Sequence, residues 1–271
     1  MTDTDRSALV RPIASMTRTL RLRSASVAQW LRLPGTAGTP DCASIRYWNE
    51  PVPNARAACR LDGERAPVLF VHGYAGTEHI WGPLRDALTQ AGFGHLIALR
   101  YNAFRSDIHE VADWLVDQAH RSMQTAGAES VHLIGHSMGG LVVRDAVQNR
   151  GLADRTSTAV TIATPHAGSR LARFVPGPSA RQMRPGSDFL AALAHRHGSS
   201  RTRWVTVHGG ADRVVPVEFG ELDVADCGVL TVRESAAGHG SIARHPQVIS
   251  AIAAELMRSE AQAAKAFSLA A

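Results

Sequence analysis

Gly135-His136-Ser137-Met138-Gly139-Gly140 constrains the fold of this chain more than any other stretch. It follows the apolar run Val131 to Ile134 and precedes an apolar, helix-like stretch from Leu141 to Val147. A serine flanked two residues away by glycine, between a strand and a helix, sits on a turn too sharp for a Cβ at the flanking positions. Such a turn lifts the hydroxyl above a sheet edge and places it at a helix N-terminus, which favours negative charge. Chance alone produces this pattern in roughly one chain in ten of this length. Its weight therefore depends on what occupies the matching places elsewhere.

The surrounding chain alternates between two kinds of segment. Pro67 to Val71, His95 to Leu99, Val131 to Gly135, Ser157 to Ala163, Trp204 to His208 and Val229 to Val232 are solid apolar runs. Between two of them, Ile108, Val111, Ala112, Leu115, Val116 and Ala119 recur at helical spacing. Solid strands separated by amphipathic helices predict a mostly parallel, doubly wound α/β sheet covered on both faces. A last helix is expected from Gln247 to Met257.

Three further features stand where chemistry at Ser137 would need them. Carbonyl attack requires two backbone N–H donors aimed at the developing oxyanion. Met138, directly after the serine, is one candidate. Tyr74, in the loop His72-Gly73-Tyr74-Ala75-Gly76 after the Pro67 to Val71 strand, is the other. Asp212 follows the strand Trp204 to His208 directly, where a carboxylate can fix an imidazole tautomer. Glu218, Glu221, Asp223, Asp226 and Glu234 are its rivals, but none follows a buried strand so closely. Of the 13 histidines, only His239 and His245 lie beyond Asp212, as the order serine, acid, histidine requires. His239, between two glycines in a loop, is preferred, and His245, before Pro246, is the fallback.

These stretches, with Ala163-Thr164-Pro165-His166-Ala167-Gly168-Ser169 and Asp212-Arg213-Val214-Val215-Pro216, resemble the α/β-hydrolase superfamily. Within it they resemble the bacterial triacylglycerol lipase/esterase group. The resemblance runs over roughly residues 65 to 258. It implies the α/β-hydrolase fold, a triad of Ser137, Asp212 and His239, and an oxyanion hole from Tyr74 and Met138. It implies a small-molecule or lipid ester as substrate and no cofactor. Acyl transfer to an alcohol or peroxide by the same triad is the alternative, and a non-catalytic binding protein on the same fold is a remoter one. Thr164 to Ser169 looks like the structural opening of a cap, and His166 is given no chemical role. The cap is expected over about 166–202, where the alternation lapses. It is short, carries enough Leu, Phe, Val and Met to line an acyl pocket, and Ser187 is placed to cap a helix through Leu193.

Composition narrows the partners. The formal charge is +5 and Lys265 is the sole lysine, so the positive charge is nearly all arginine. The arginines are scattered without a recognition motif, which argues against nucleic acid. Cys42, Cys59 and Cys227 form no Cys-x-x-Cys pair, so neither a zinc site nor a redox motif is expected. Spacing alone leaves a Cys42–Cys59 bridge open, with three free thiols the favoured reading.

The chain divides into a segment 1–60 and a domain 61–271. In the first, Ile13, Met16, Leu20, Val27, Trp30 and Leu31 recur at near-helical spacing among arginines, with no acid from Arg6 to Pro40. A helix packed on the domain is the favoured reading, and a basic helix in peripheral contact with an anionic membrane is the other. Leu33 to Pro40 reads as a linker and Ser44 to Trp48 as an edge strand. No secretory signal is recognised, which makes a cytoplasmic location the expectation, with membrane association left open.

Overall fold

The computed structural model describes residues 18–21, 65–195, 201–222 and 229–270. Seven strands form one sheet: β1 (Arg18–Arg21), β2 (Val68–Val71), β3 (Leu96–Ala98), β4 (Val131–His136), β5 (Thr156–Ile162), β6 (Arg203–Gly209) and β7 (Val229–Glu234). Their order is β1-β7-β6-β5-β4-β2-β3, and every pairing is parallel. The helices are α1 (Gly82–Gln90), α2 (Ile108–Ala126), α3 (Met138–Asn149), α4 (Pro178–Gln182), α5 (Asp188–His195), α6 (Val217–Gly220) and α7 (Pro246–Ala270).

Alternation along the strands sorts the core into two layers. In β2, Leu69 and Val71 join Leu115, Leu133 and Leu141 on the face covered by α2 and α3. Val68 and Phe70 point the other way and pack with Leu84, Leu88 and Ile252 of α1 and α7. Period-two side chains with both sets apolar leave a strand no solvent face, which is why these runs read as solid. This is the doubly wound sheet that the apolar runs predict.

Local signals explain the helix that leads toward the site. Asp107 caps α2 by accepting from the Glu110 N–H at 2.8 Å, and Glu110 returns the bond from the Asp107 N–H at 3.1 Å. Gly127, in the left-handed region at φ 62°, ends it.

From β2 the chain steps outward to β3, then returns across β2 to place β4 on its other side. The order therefore reverses at β2 and β4. In an open parallel sheet, the crevice beyond the carboxyl ends of such a pair is where ligands bind.

One expectation changes. Helical spacing predicts a helix through Arg18 to Arg21, but these residues pair in parallel with β7, Leu20 opposite Val232. Free backbone groups at the β7 edge offer ladder hydrogen bonds that a short local preference does not outweigh. The remainder of 1–60 lies outside the described residues, as do the linker, the Ser44 to Trp48 strand and all three cysteines.

Candidate active site

The elbow between β4 and α3 is built by contact with its own neighbours. Ser137 has φ 55° and ψ −123°, a conformation L-residues rarely hold. A Cβ on Gly139 would lie 2.1 Å from the Val71 carbonyl oxygen, and one on Gly135 would lie 2.4 Å from that of Gly139. One on Gly140 would meet Thr164 Oγ1 at 1.9 Å. The three glycines thus let α3 approach β2 and β5 closely enough to hold the serine in its strained turn. Ser137 N–H donates to the Ile162 carbonyl at 2.8 Å, which ties the turn to β5.

Loops beyond β6 and β7 bring two more groups to the serine. His239 Nε2 lies 3.0 Å from Ser137 Oγ, and His239 Nδ1 lies 2.8 Å from Asp212 Oδ2. A carboxylate only accepts, so Nδ1–H donates and Nε2 is left to accept the serine proton. The other oxygen of Asp212 accepts from the backbone N–H groups of Val214 and Val215, at 2.8 and 2.9 Å. Burial pushes the Asp212 carboxyl up, but hydrogen bonds from His239, Val215 and Val214 outweigh it and hold the group below its usual 3.8. Asp212 therefore stays ionised and oriented at neutral pH.

His136, the residue before the serine, grips the histidine loop from behind. Its Nε2–H donates to the His239 carbonyl at 2.9 Å, and the two rings sit 4.9 Å apart. Burial, with the nearby His239, pushes its pKa down to about 4, so it stays neutral. Sequence reading gave His136 no role, because nothing in a Gly-His-Ser pattern shows that β4 and the β7 loop meet.

The loop after β2 is fixed in the same manner. His72 stacks on Tyr101 at 4.2 Å and donates from Nδ1 to the Gly73 carbonyl at 2.9 Å. The Tyr101 hydroxyl donates to the His72 carbonyl. Gly76 N–H closes a turn onto the Gly73 carbonyl at 3.1 Å, with Tyr74 and Ala75 at its corners. Among the described residues, neither the Tyr74 nor the Met138 N–H donates to a protein acceptor.

The rival residues lie elsewhere. His245 stands 3.8 Å from Glu234, and Glu221 pairs with Arg233 at 2.8 Å. Glu218 is exposed on α6, and Asp223 and Asp226 fall outside the described residues. His166 is buried with Nε2 3.0 Å from Thr161 Oγ1. No group of three or more metal-ligand side chains is assembled among the described residues, and none of their helices is long and apolar enough to cross a membrane.

The segment between β5 and β6 is the one the sequence reading assigns to a cap. It contains a short 3-10 turn (Arg170–Arg173), α4 and α5. The Tyr74 hydroxyl donates to the Pro176 carbonyl, and Ser179 Oγ donates to that of Ala103 at 2.7 Å. Ser187 Oγ accepts from the Leu190 N–H at 3.3 Å, the cap read from sequence. The cap thus rests on the same β2 and β3 loops that border the serine.

The family model described as the PGAP1-like alpha/beta domain matches residues 100–174. A triacylglycerol lipase of Burkholderia plantarii is 34% identical over 175 residues, covering 59% of this chain and 45% of the lipase. A triacylglycerol lipase of Pseudomonas fragi is 33% identical over 141 residues, covering 48% of this chain and 44% of the lipase. The chain thus spans less than half the length of these curated relatives. The mature lipase of Bacillus licheniformis superposes with a TM-score of 0.62 at 16% identity, over 72% of this chain and 93% of that one. Such a structural likeness speaks to the fold. Together with the all-parallel sheet and its elbow, the structural likeness shows the α/β-hydrolase fold, and the family and sequence likenesses support a kinship with its lipase/esterase group.

Proposed function

We propose that this chain is a serine carboxylic-ester hydrolase that works through an acyl-enzyme on Ser137. The observation that carries the reading is the continuous series of hydrogen bonds from Ser137 Oγ through His239 to Asp212. His239 removes the serine proton as Oγ attacks an ester carbonyl. The N–H groups of Tyr74 and Met138 stabilise the oxyanion of the tetrahedral intermediate, each donor being worth on the order of 10²-fold in rate. The imidazolium, stabilised by Asp212, returns its proton to the departing alcohol. Water then attacks the acyl-enzyme by the same route, and the carboxylic acid leaves. The names of the curated relatives support fatty-acyl lipid esters as the substrate class.

Hydrolysis of p-nitrophenyl esters from acetate to palmitate tests this. Ser137→Ala should fall by roughly 10⁶-fold in kcat with folding intact, and Asp212→Asn by roughly 10⁴-fold. A Ser137→Ala protein of near-full activity overturns the assignment. The chain-length optimum separates an esterase from a lipase, and product partition with an added alcohol reports acyl transfer.

A further inference from the structure

The cap carries a surface that the proposed chemistry leaves unused. From Pro165 to Ser187 the chain has four arginines, Arg170, Arg173, Arg181 and Arg184, and no acid. Arg170, Arg173 and Arg181 are exposed, and among the described residues none of the three is paired with a carboxylate. Leu171 and Phe174 stand between them, 46% and 83% exposed. Met257 and Leu269 on α7 are the remaining large apolar side chains exposed among the described residues, apart from Phe104. Phe104 also borders the cap, since its carbonyl lies 2.5 Å from where a Cβ on Gly177 would stand. Beside Phe174 opens a cleft of about 490 Å³, lined by Arg170, Arg173, Phe174, Pro185 and Phe219. The Arg170 guanidinium lies over the Phe219 ring at 5.3 Å, which leaves its in-plane N–H groups free to donate.

We infer that this face of the cap docks on an anionic lipid surface. Phe174 and Leu171 enter the headgroup layer, and Arg170, Arg173 and Arg181 meet lipid phosphates. An aromatic side chain this exposed costs hydration free energy unless something apolar receives it. The charge around it selects a negative receiver. Of the exposed acids that flank the stretch, Glu221 is paired with Arg233, and Asp188 on α5 and Glu218 on α6 leave the balance positive. A protruding aromatic among separate cations suits a soft layer that it can enter. The inference stands apart from the hydrolase reading, because adsorption needs no turnover.

Vesicle sedimentation tests it, with the full chain carrying Ser137→Ala so that no lipid is consumed. Vesicles of phosphatidylcholine alone are compared with equimolar phosphatidylcholine and phosphatidylglycerol. Binding is expected to the mixed vesicles only, and to weaken as salt is added. Arg170→Ser with Arg173→Ser should weaken it about thirtyfold at low salt, and Phe174→Ser about tenfold. Unchanged thermal unfolding of these variants confirms that they are folded. Equal binding to both vesicles, or binding to neither, overturns the inference. So does unchanged binding by folded variants, which would move the contact elsewhere on the chain, residues 1–60 included.

Discussion

The elbow and the cap are built on opposite terms. Every residue from Val131 to Val147 is buried, and a Cβ on Gly135, Gly139 or Gly140 would clash with an oxygen atom at 2.4, 2.1 or 1.9 Å. In the cap, Arg170, Leu171, Arg173, Phe174, Pro176 and Arg181 are all exposed. The elbow must hold one hydroxyl in a strained turn, so its surroundings over-determine it. In the cap the constraint is local: a Cβ on Gly177 would stand 2.5 Å from the Phe104 carbonyl oxygen, whereas the exposed Gly186 has open space around it.

The largest effect should come from adding a single methyl to the elbow. In Gly139→Ala the new Cβ would meet the carbonyl oxygens of Val71 at 2.1 Å and His72 at 2.6 Å. Both are backbone atoms in or next to β2, so no side-chain rotation relieves the clash. A loss of at least about 4 kcal/mol is expected, enough to leave the protein largely unfolded when expressed. Thermal unfolding of any soluble fraction measures it. A variant that melts like the parent would break the claim that the elbow is over-determined.

Acid should expose the next weakness of the buried region. Burial pushes His136 and His208 down to about 4 from an ordinary 6.5. For His208, the nearby Arg233 adds to burial, and Asp212 opposes it. Folded, both stay neutral between these values, whereas the unfolded chain takes up the protons. Unfolding therefore binds protons, and the stability present above pH 6.5 is lost as pH falls toward 4. Each group contributes about 3 kcal/mol across that window. His166, buried near Arg144 and His208 and held well below 6.5, acts in the same direction. The melting temperature should fall steeply between pH 6.5 and 4, and His208→Gln should flatten the slope. A flat profile for the parent protein would show that these imidazoles are not shielded as described.

The two regions also differ in how far the sequence revealed them. Pro67 to Val71, Val131 to Gly135 and Trp204 to His208 each read as strands, and the ladder runs through Val68–Val71, Val131–His136 and Arg203–Gly209. Both-sided burial writes itself into consecutive residues, so it is visible locally. Ser137, Asp212 and His239 were legible because strand ends and chain order constrain them. His136 and the Tyr101–His72 stack were not, since each depends on loops brought together from distant strands. The Arg18–Arg21 strand was misread as helix because pairing with β7 is a tertiary choice that four residues do not record. In the cap, Ser187 announced its helix through capping chemistry. The short turns around it left no periodicity to read.

The smallest effect belongs to the cap, and it repeats the elbow experiment with the opposite expectation. Gly186 has φ 79°, and a Cβ there would find nothing within 4 Å. Gly186→Ala therefore adds the same methyl as Gly139→Ala but meets only the intrinsic strain of an L-residue in the left-handed region. That strain costs about 1 kcal/mol, part of which is offset because alanine also restricts the unfolded chain. Thermal unfolding should show a shift of a few degrees, and hydrolysis of a short soluble ester should persist. If Gly186→Ala instead unfolds the protein, the cap is as tightly determined as the elbow. The contrast between a rigid elbow and a tolerant turn at Gly186 then fails. If it melts as expected while Gly139→Ala does not fold, the difference lies in packing around the glycine, because Gly186, with the disfavoured φ, is the site that accepts the methyl.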